Sequence, residues 1–287
     1  MGLTRRQALR TLAGAAALSS FGAPAILASN RRPSWKGRIK HSVCKWCYPN
    51  LSVEELAAIG AQIGLQSIEL LDPQDWPIVK KYGLTCAMGN GPSRIPDGFN
   101  RRENHEWLVP QFKKRIEEAA EAGIPNVICF SGNRKGMDDE EGLENCVLGL
   151  KQILPTAEKY GVTICMELLN SKIDHPDYMC DHTAWGVQLV KRIGSERFKL
   201  LYDIYHMQIM EGDVIRTIRE NIDYIAHFHT AGVPGRHEID DSQELYYPAI
   251  MRAIADAGFQ GFVAQEFIPT RPDPIESLRH AIAICDV

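Results

Sequence analysis

The chain has 287 residues, a formal net charge of −4 and 45% hydrophobic residues, a composition that is typical of a globular protein. The first 28 residues contain Arg5, Arg6 and Arg10 and no acid, so removing these three positive charges leaves a net charge of −7. An acidic body of this kind argues against nucleic-acid binding through a broad basic surface.

The N-terminal stretch of the chain has the three parts of an export signal. Paired arginines precede an apolar stretch over 11–27, which ends in small residues around Ala28. This order is typical of a secretory signal, and the arginine pair resembles a twin-arginine signal. We therefore expect residues 1–28 to direct export to the periplasm and residues 29–38 to form a linker. The protein is expected to be cytoplasmic if the signal is not used. No later stretch is long and apolar enough to span a membrane.

Eight cysteines are spread through the sequence. Most lie inside apolar runs, where a thiol behaves as a small hydrophobic group. Cys44 and Cys47 have the spacing of a redox or zinc pair, but no second pair accompanies them, and this odd spacing places their side chains on opposite faces of a strand. We therefore expect buried thiols, with a disulfide as the alternative in an exported protein.

Stretches typical of strands and helices alternate after residue 38. Strands are predicted over 39–44, 66–71, 84–88, 126–130, 162–168, 198–203, 224–230 and 261–267. Helices are predicted over 52–64, 75–82, 104–122, 140–160, 181–193, 212–221, 247–257 and 273–284. Ser52 and Glu55 have the spacing of a capping box, and Asp181 is a predicted N-cap.

Eight strand–helix units in about 250 residues are the pattern of a TIM barrel. We therefore predict an α/β fold, a single (β/α)8 barrel domain over 39–287. A doubly wound sheet also alternates strands and helices, but it usually has a glycine-rich phosphate-binding turn after its first strand, which this sequence lacks.

Four consecutive predicted strands end on residues that can bind a metal. Glu167, Asp203, His229 and Glu266 lie at the carboxyl ends of the last four strands, where a TIM barrel has its active site. A single acid there is usually a helix cap or a salt-bridge partner, whereas four candidate ligands at one level indicate a shared site. Three carboxylates close together require a cation, because like charges repel strongly in a low-dielectric site. Three oxygen donors and one nitrogen suit Mn²⁺ or Mg²⁺, with Co²⁺ or Zn²⁺ as alternatives.

Other polar residues lie near the predicted mouth of the barrel. His206, just past Asp203, is either within reach of a bound substrate or a solvated loop histidine. Arg236, in a turn-rich loop, either binds a substrate oxygen or carboxylate through paired hydrogen bonds or is a surface charge. His227 lies one step deeper, so we expect it to form an internal hydrogen bond. Weaker candidates for the pocket wall are Lys45, Trp46, Glu69, Asn90 and His175.

The chain after residue 38 resembles the xylose-isomerase-like TIM-barrel superfamily, close to its hydroxypyruvate isomerase and ketose 3-epimerase branches. The resemblance rests on residues 166–170 (MELLN), 203–206 (DIYH), 227–229 (HFH) with 234–236 (PGR), and 265–267 (QEF). It implies that Glu167, Asp203, His229 and Glu266 bind one divalent metal, and that Glu167 and Glu266 are also the catalytic acid and base. It further implies that His206 and Arg236 contact substrate oxygens.

The implied function is that of a metal-dependent isomerase of small hydroxy-carbonyl compounds, similar to hydroxypyruvate isomerase. One glutamate would remove the proton next to the carbonyl group, giving an enediolate that the metal stabilises. Return of the proton to the adjacent carbon gives isomerisation, and return from the opposite glutamate to the same carbon gives epimerisation. Some hydroxypyruvate isomerases carry glutamine at the position of His229, which favours an epimerase-like site here. The substrate is expected to be a small keto acid or sugar, and the oligomeric state, monomer or homo-oligomer, is open.

Two further functions are alternatives to the isomerase. A zinc endonuclease on this barrel would need several zinc ions and a basic groove, and the acidic balance disfavours it. An exported sugar-binding protein without catalysis is disfavoured by the presence of both Glu167 and Glu266.

Overall fold

The computed structural model describes residues 34–287, so the predicted export signal and the first half of the predicted linker lie outside the described residues. The strands are β1 (Lys40–Cys44), β2 (Ser67–Glu69), β3 (Asn126–Cys129), β4 (Thr163–Glu167), β5 (Phe198–Asp203), β6 (Ile225–Thr230) and β7 (Phe262–Gln265). In the described part they form one parallel sheet in the order β2-β1-β7-β6-β5-β4-β3. The predicted TIM-barrel fold is confirmed.

Helices follow most of the strands and pack outside the sheet. They are α1 (Val53–Ile63), α2 (Trp76–Lys81), α3 (Arg102–Ala122), α4 (Asp139–Leu150), α5 (Leu154–Tyr160), α6 (Thr183–Ile193), α7 (Ile204–Met210), α8 (Val214–Asn221), α9 (Tyr247–Asp256) and α10 (Pro274–Cys285). Within residues 34–287, none of these helices combines the length and the apolar character needed to cross a membrane.

The predicted strand over 84–88 is not a regular strand. The segment instead pairs through isolated bridges, in which the amide of Leu70 donates to the carbonyl of Met88 at 2.8 Å and the amide of Gly89 donates to Asn126 at 2.9 Å. Leu70 has a left-handed backbone with φ of 55°, which bends the chain after β2 and interrupts a continuous ladder. The segment still connects β2 to β3, so the barrel has eight segments, of which seven are regular strands.

Three predictions about helices also need correction. The predicted helix over 140–160 is two helices, α4 and α5, because Pro155 lacks an N–H donor and lies in the first turn of a new helix. Asp181 is not the N-cap of α6; that position is His182, and the Asp181 carboxylate pairs with Arg134 at 3.1 Å. The residues after Asp203 form α7 rather than a loop, with the Asp203 side chain as its cap.

Other predictions from local sequence patterns are confirmed. Ser52 and Glu55 form both halves of the capping box at the start of α1. Asp273, where the last helix is predicted to begin, caps α10 by accepting hydrogen bonds from the amides of Ile275 and Glu276. All eight cysteines are free and buried, so the prediction of buried thiols is confirmed and the alternative disulfide is not formed.

The inside of the barrel is filled by a small apolar layer of Met88, Ile128, Cys165 and Leu201. Side chains two positions apart share a face of a strand, so Cys165 and Leu201 establish which face of β4 and β5 points inward. Glu167 and Asp203 lie two residues further on the same faces, at the carboxyl end of the barrel. The fold therefore directs both carboxylates into the mouth.

The loop after β6 is joined to the loop after β7 by Glu238, which is 6% exposed. Its carboxylate accepts hydrogen bonds from the amide and hydroxyl of Thr270, each at 2.8 Å, from the amide of Arg271 at 3.2 Å and from the hydroxyl of Ser277 at 2.9 Å. Burial alone would raise the pKa of Glu238, but the donors, Thr270 first among them, outweigh it and lower the pKa to about 2.

Replacing Glu238 with glutamine is expected to lower the free energy of unfolding by about 2–3 kcal/mol near neutral pH, because hydrogen bonds to a charged acceptor contribute about 1.5–3 kcal/mol each and do not add fully. The folded pKa is depressed, so this stabilisation is present above the unfolded pKa of about 4.3 and is lost as pH falls towards the folded value. Urea denaturation of both proteins from pH 7 to pH 2.5 should show the difference shrinking below about pH 4.3. Glu121→Gln, an exposed glutamate in α3, is the control, and an equal effect of both changes would contradict the prediction.

Candidate active site

The ends of β4 to β7 bring three carboxylates around one imidazole. The Nδ1 atom of His229 lies 3.0 Å from Glu266 Oε2, 3.2 Å from Glu167 Oε1 and 4.0 Å from Asp203 Oδ2. One ligand atom from each residue lies within 4.8 Å of the others, and all four residues are buried. The structure thus brings together the four residues that the sequence predicted as metal ligands.

Glu69, at the end of β2, orients this imidazole from the other side. Its Oε1 atom accepts from His229 Nε2 at 3.0 Å and from His227 Nε2 at 2.7 Å, while Oε2 accepts from the Ser42 hydroxyl at 2.6 Å. A carboxylate can only accept, so both imidazoles carry their proton on Nε2. His229 therefore directs the lone pair of Nδ1 at the three acids, and the predicted internal hydrogen bond of His227 is confirmed. Every potential metal cluster of the described residues includes His229, which indicates a single centre.

The arrangement fits a divalent cation. Among the described residues, His229 Nδ1 is buried and has no hydrogen-bond donor to satisfy it, although it faces three carboxylates. Burial raises the pKa of Asp203 well above its usual range, so the ionised cluster is costly without added positive charge. Three oxygen ligands with one nitrogen are the donor set expected for Mn²⁺ or Mg²⁺.

Arg236 supplies one positive charge to this cluster. Its Nη2 atom lies 2.6 Å from Glu266 Oε2 and 3.6 Å from Asp203 Oδ2. The guanidinium stacks on the rings of Trp46 and Tyr205, with centroid distances of 5.1 and 5.3 Å. Burial alone would raise the pKa of Glu266, but His229 and Arg236 outweigh it and hold that pKa well below its usual range. Arg236 is therefore part of the site rather than a surface charge.

A cavity of about 710 Å³ opens beside the cluster. Among the predicted residues, its wall contains Trp46, Asn90, Glu167, His175, Arg236 and Glu266. Trp46 is 42% exposed at the rim and donates a hydrogen bond from its indole to Glu266 Oε1 at 2.8 Å. Asp203, His229 and His206 do not line the cavity but lie behind its wall, fully buried. The cluster therefore meets the cavity through its two glutamates.

His206 is neither solvated nor in a loop: it is buried in the first turn of α7, with its ring centroid 5.3 Å from that of His175. Asn170 determines its tautomer. The amides of Ile173 and Asp174 donate to Asn170 Oδ1 at 3.0 and 2.9 Å, so Nδ2 faces His206 Nδ1 at 2.6 Å and must donate to it. Because burial holds the pKa of His206 well below its usual value, the ring is neutral and its remaining proton is on Nε2, on the side of Asp203 at 3.7 Å.

Replacing Asn170 with aspartate is expected to reverse this tautomer, because a carboxylate can only accept from Nδ1. The reversed tautomer has no proton on Nε2 of His206, so this nitrogen can no longer donate a hydrogen bond. We expect kcat/KM to fall about 10-fold or more, since losing a buried hydrogen bond costs about 1–3 kcal/mol. Nitrogen-15 shifts of the His206 ring would report the proton position directly. Asp174 lies 2.6 Å from Asn170 Nδ2, so the double variant Asn170→Asp with Asp174→Asn removes the charge repulsion and keeps the reversed tautomer. Full recovery in that double variant would contradict the tautomer explanation.

From the sequence, Glu69 is only a weak pocket candidate and Asn170 has no predicted role. Glu69 ends a buried strand on a charged group, which was the same signal that identified Asp203. Its partners are 158 and 160 positions away along the chain, so its bond to two histidines was not visible. Lys45, another weak candidate, binds the carbonyl of Tyr48 and does not line the cavity.

Residues 61–285 match the family model described as xylose isomerase-like TIM barrel. The chain is similar to a putative hydroxypyruvate isomerase from Homo sapiens, with 34% identity over 262 residues that cover 81% of this chain and 90% of the relative. It is also similar to a D-psicose 3-epimerase from Ruminiclostridium cellulolyticum, with 31% identity over 195 residues that cover 64% of each protein. A 2-oxo-tetronate isomerase from Cupriavidus necator is 36% identical over 113 residues, 39% of this chain and 43% of the relative.

Solved structures agree on the fold. A structure described as AP endonuclease, family 2, from Brucella melitensis superposes with a TM-score of 0.74 at 25% identity, covering 84% of this chain and 97% of that one. A D-psicose 3-epimerase structure determined in the presence of D-fructose has a TM-score of 0.69 at 19% identity, covering 86% and 94%. The second likeness concerns the fold alone.

Proposed function

Since this chain belongs to the xylose isomerase-like TIM-barrel family and is an isomerase or epimerase, we propose that it isomerises small hydroxy-carbonyl compounds in the manner of a hydroxypyruvate isomerase. The observation that carries the proposal is the pair of buried glutamates, Glu167 and Glu266, which both contact His229 and both line the same cavity. Relatives named hydroxypyruvate isomerase and 2-oxo-tetronate isomerase support a substrate of this size.

We propose that Glu167, Asp203, His229 and Glu266 hold one divalent ion, Mn²⁺ or Mg²⁺ first among the alternatives. A bound ion of this kind supplies Lewis-acid stabilisation to a carbonyl oxygen on which negative charge develops. The chain contributes a fixed imidazole, three converging carboxylates and a water-poor setting, because all four side chains are buried.

The two glutamates then move the protons. One carboxylate removes the proton from the carbon next to the carbonyl group, which leaves an enediolate, and a protonated carboxyl group must then return a proton to carbon to give the product. Delivery to the former carbonyl carbon, with the hydroxyl proton passing to the former carbonyl oxygen, exchanges the positions of carbonyl and hydroxyl, which is isomerisation. Delivery by the second glutamate to the original carbon from its other face inverts that carbon, which is epimerisation.

Glu266 is the more rigidly held of the two glutamates. Trp46 donates to one of its oxygens at 2.8 Å and Arg236 donates to the other at 2.6 Å. Fixed donors of this type keep the carboxylate in one orientation and preorganise it for proton transfer. We infer that Trp46 and Arg236 act on the reaction partly through Glu266.

The test is incubation of Mn²⁺-loaded protein in deuterium oxide with hydroxypyruvate, a 2-oxo-tetronate and D-psicose, followed by nuclear magnetic resonance. The proposal expects deuterium at the carbon next to the carbonyl group and a product in which carbonyl and hydroxyl have exchanged places. Inversion at that carbon without exchange of the two groups would instead establish the epimerase alternative, which the D-psicose 3-epimerase relative and His229 favour. No deuterium incorporation with any substrate would contradict both the isomerase proposal and the epimerase alternative.

The endonuclease alternative has one observation in its favour, the superposition on the Brucella melitensis structure. The potential ligand clusters of the described residues all share His229, which supports one metal centre rather than several. Metal analysis giving two or more zinc ions per chain, with cleavage of abasic DNA, would favour that alternative over the isomerase.

A further inference from the structure

The cationic side chains of the cavity wall differ in whether they already have a partner. The guanidinium of Arg236 is bound to Glu266 and lies close to Asp203. Arg115, behind the wall, is bound to the carbonyl of Asn90, lies 3.3 Å from Glu118 and lies 3.6 Å from Asp72. Arg94 lines the same cavity, and no carboxylate or other acceptor of residues 34–287 pairs with its guanidinium. It is therefore the one uncommitted arginine among the described lining residues.

The backbone that carries Arg94 is held against the barrel. Its carbonyl accepts from the amide of Asp97 at 3.1 Å, and the neighbouring Ser93 hydroxyl accepts from the amide of Phe130 at 3.3 Å. A Cβ at Gly91 would collide with the carbonyl oxygen of Ile128, so the loop approaches β3 as closely as only glycine permits. The side chain is exposed, but its backbone is fixed on the wall of the same cavity that Glu167 and Glu266 line.

The cavity has room for a substrate that contacts both the two glutamates and Arg94. Its volume of about 710 Å³ lies inside the range of roughly 300–1,000 Å³ that encloses much larger ligands than a three-carbon acid. Glu167 and Glu266 lie on one part of its wall, and Asn90, Ser93 and Arg94 form another. A planar guanidinium without a partner matches a carboxylate through two parallel hydrogen bonds, whereas a neutral hydroxyl offers no opposite charge.

We propose that Arg94 is the carboxylate-binding residue of the active-site cavity, so that the substrates are hydroxy-keto acids rather than neutral ketoses. This inference rests on the isomerase function proposed above and decides between its two substrate classes. The charge of Arg236 is already balanced by Glu266 and Asp203, and Arg115 is already paired with Glu118 and Asp72. The carboxylate of the acid thus pairs with Arg94 while the hydroxy-carbonyl end lies between the glutamates.

The test compares Arg94→Gln and Arg94→Lys with the wild-type protein, and uses Arg216→Gln, an exposed arginine on α8, as the matched control. For hydroxypyruvate and a 2-oxo-tetronate, Arg94→Gln is expected to raise KM about 10- to 100-fold with little change in kcat, since charge-assisted hydrogen bonds contribute about 1.5–3 kcal/mol. Arg94→Lys should fall between, because lysine keeps the charge but not the fork of donors. The Arg216→Gln control should leave kcat and KM for both acids unchanged.

A second measurement keeps the two proposals apart. Calorimetric titration of the wild-type and Arg94→Gln proteins with the same acids gives dissociation constants that do not depend on turnover. If the wild type binds the acids, Arg94→Gln binds them at least 10-fold more weakly and neither reacts, the carboxylate site stands and the isomerase function fails. Equal losses for acid and ketose, or wild-type turnover of ketoses with no binding of acids, would overturn the assignment of Arg94 and leave the isomerase or epimerase function in place.

Discussion

Replacing Glu167 or Glu266 with glutamine is expected to lower kcat by roughly 10²- to 10⁴-fold, the range in which positioned acid–base groups act. Glutamine keeps the shape of each side chain and can still accept a hydrogen bond, but it can neither remove nor deliver a proton. The indole of Trp46 and the guanidinium of Arg236 can still donate to the amide oxygen at position 266, one at a time. The cavity should therefore persist while the chemistry stops.

The two glutamine variants also distinguish the order of the two glutamates. The variant that lacks the group that removes the first proton should no longer exchange substrate hydrogen with deuterium oxide. The variant that lacks only the second group should still exchange that hydrogen in an epimerase, while forming no inverted product. Because both side chains are proposed metal ligands, Mn²⁺ occupancy must be measured in the same samples. Either variant retaining a tenth of wild-type kcat at full occupancy would remove that residue from the mechanism, and Glu121→Gln is the control for unspecific effects.

Replacing Glu69 with glutamine is expected to weaken Mn²⁺ binding about 10- to 100-fold, as is usual when the outer partner of a ligating histidine is changed. The carboxylate now receives three hydrogen bonds, two of them from the imidazoles of His227 and His229. An amide at this position has one acceptor oxygen and no charge, so His229 loses the partner that keeps its proton on Nε2 and its lone pair on Nδ1. The effect reaches the metal site without touching any of the four ligands.

Titration of metal-free protein with Mn²⁺, followed by electron paramagnetic resonance, measures this affinity without reference to turnover. Ser42→Ala is the matched control, because it removes one of the three donors to Glu69 but leaves the carboxylate and both imidazole contacts. It should reduce Mn²⁺ affinity far less than Glu69→Gln. An unchanged Mn²⁺ affinity in Glu69→Gln would show that the orientation of His229 does not depend on the carboxylate.

The regular parts of the barrel were predictable because their signals are local. The apolar run that ends on Asp203 matches β5 without error, and Gly64, Gly123 and Gly161 each end a helix with a left-handed backbone that glycine adopts readily. The segment over 84–88 failed for the opposite reason. Whether this segment forms a regular ladder depends on the bend at Leu70 and on two neighbouring strands. The residues of the segment itself therefore do not predict the outcome.

The candidate site also has some residues that local sequence signals predict and others that they do not. The four candidate ligands are predictable because each is the last polar residue of an apolar run and because parallel strands end at one edge of a barrel. The α7 helix is not predicted because it has only seven residues and its N-cap, Asp203, is an acid that also belongs to the candidate site. Asp181 was assigned as a cap because acids favour that position, yet its charge is used to bind Arg134 instead. Tertiary contacts determine which of two roles such an acid takes, so the local sequence does not predict it.

The eight buried, unpaired thiols have a consequence for where this barrel can work. No disulfide joins distant parts of residues 34–287, so a change from an oxidising to a reducing environment breaks no bond that holds this domain together. Burial also raises the pKa of thiols such as Cys165 and Cys129 well above the usual range, which keeps the reactive thiolate scarce. The fold of residues 34–287 therefore does not depend on the redox state of its surroundings.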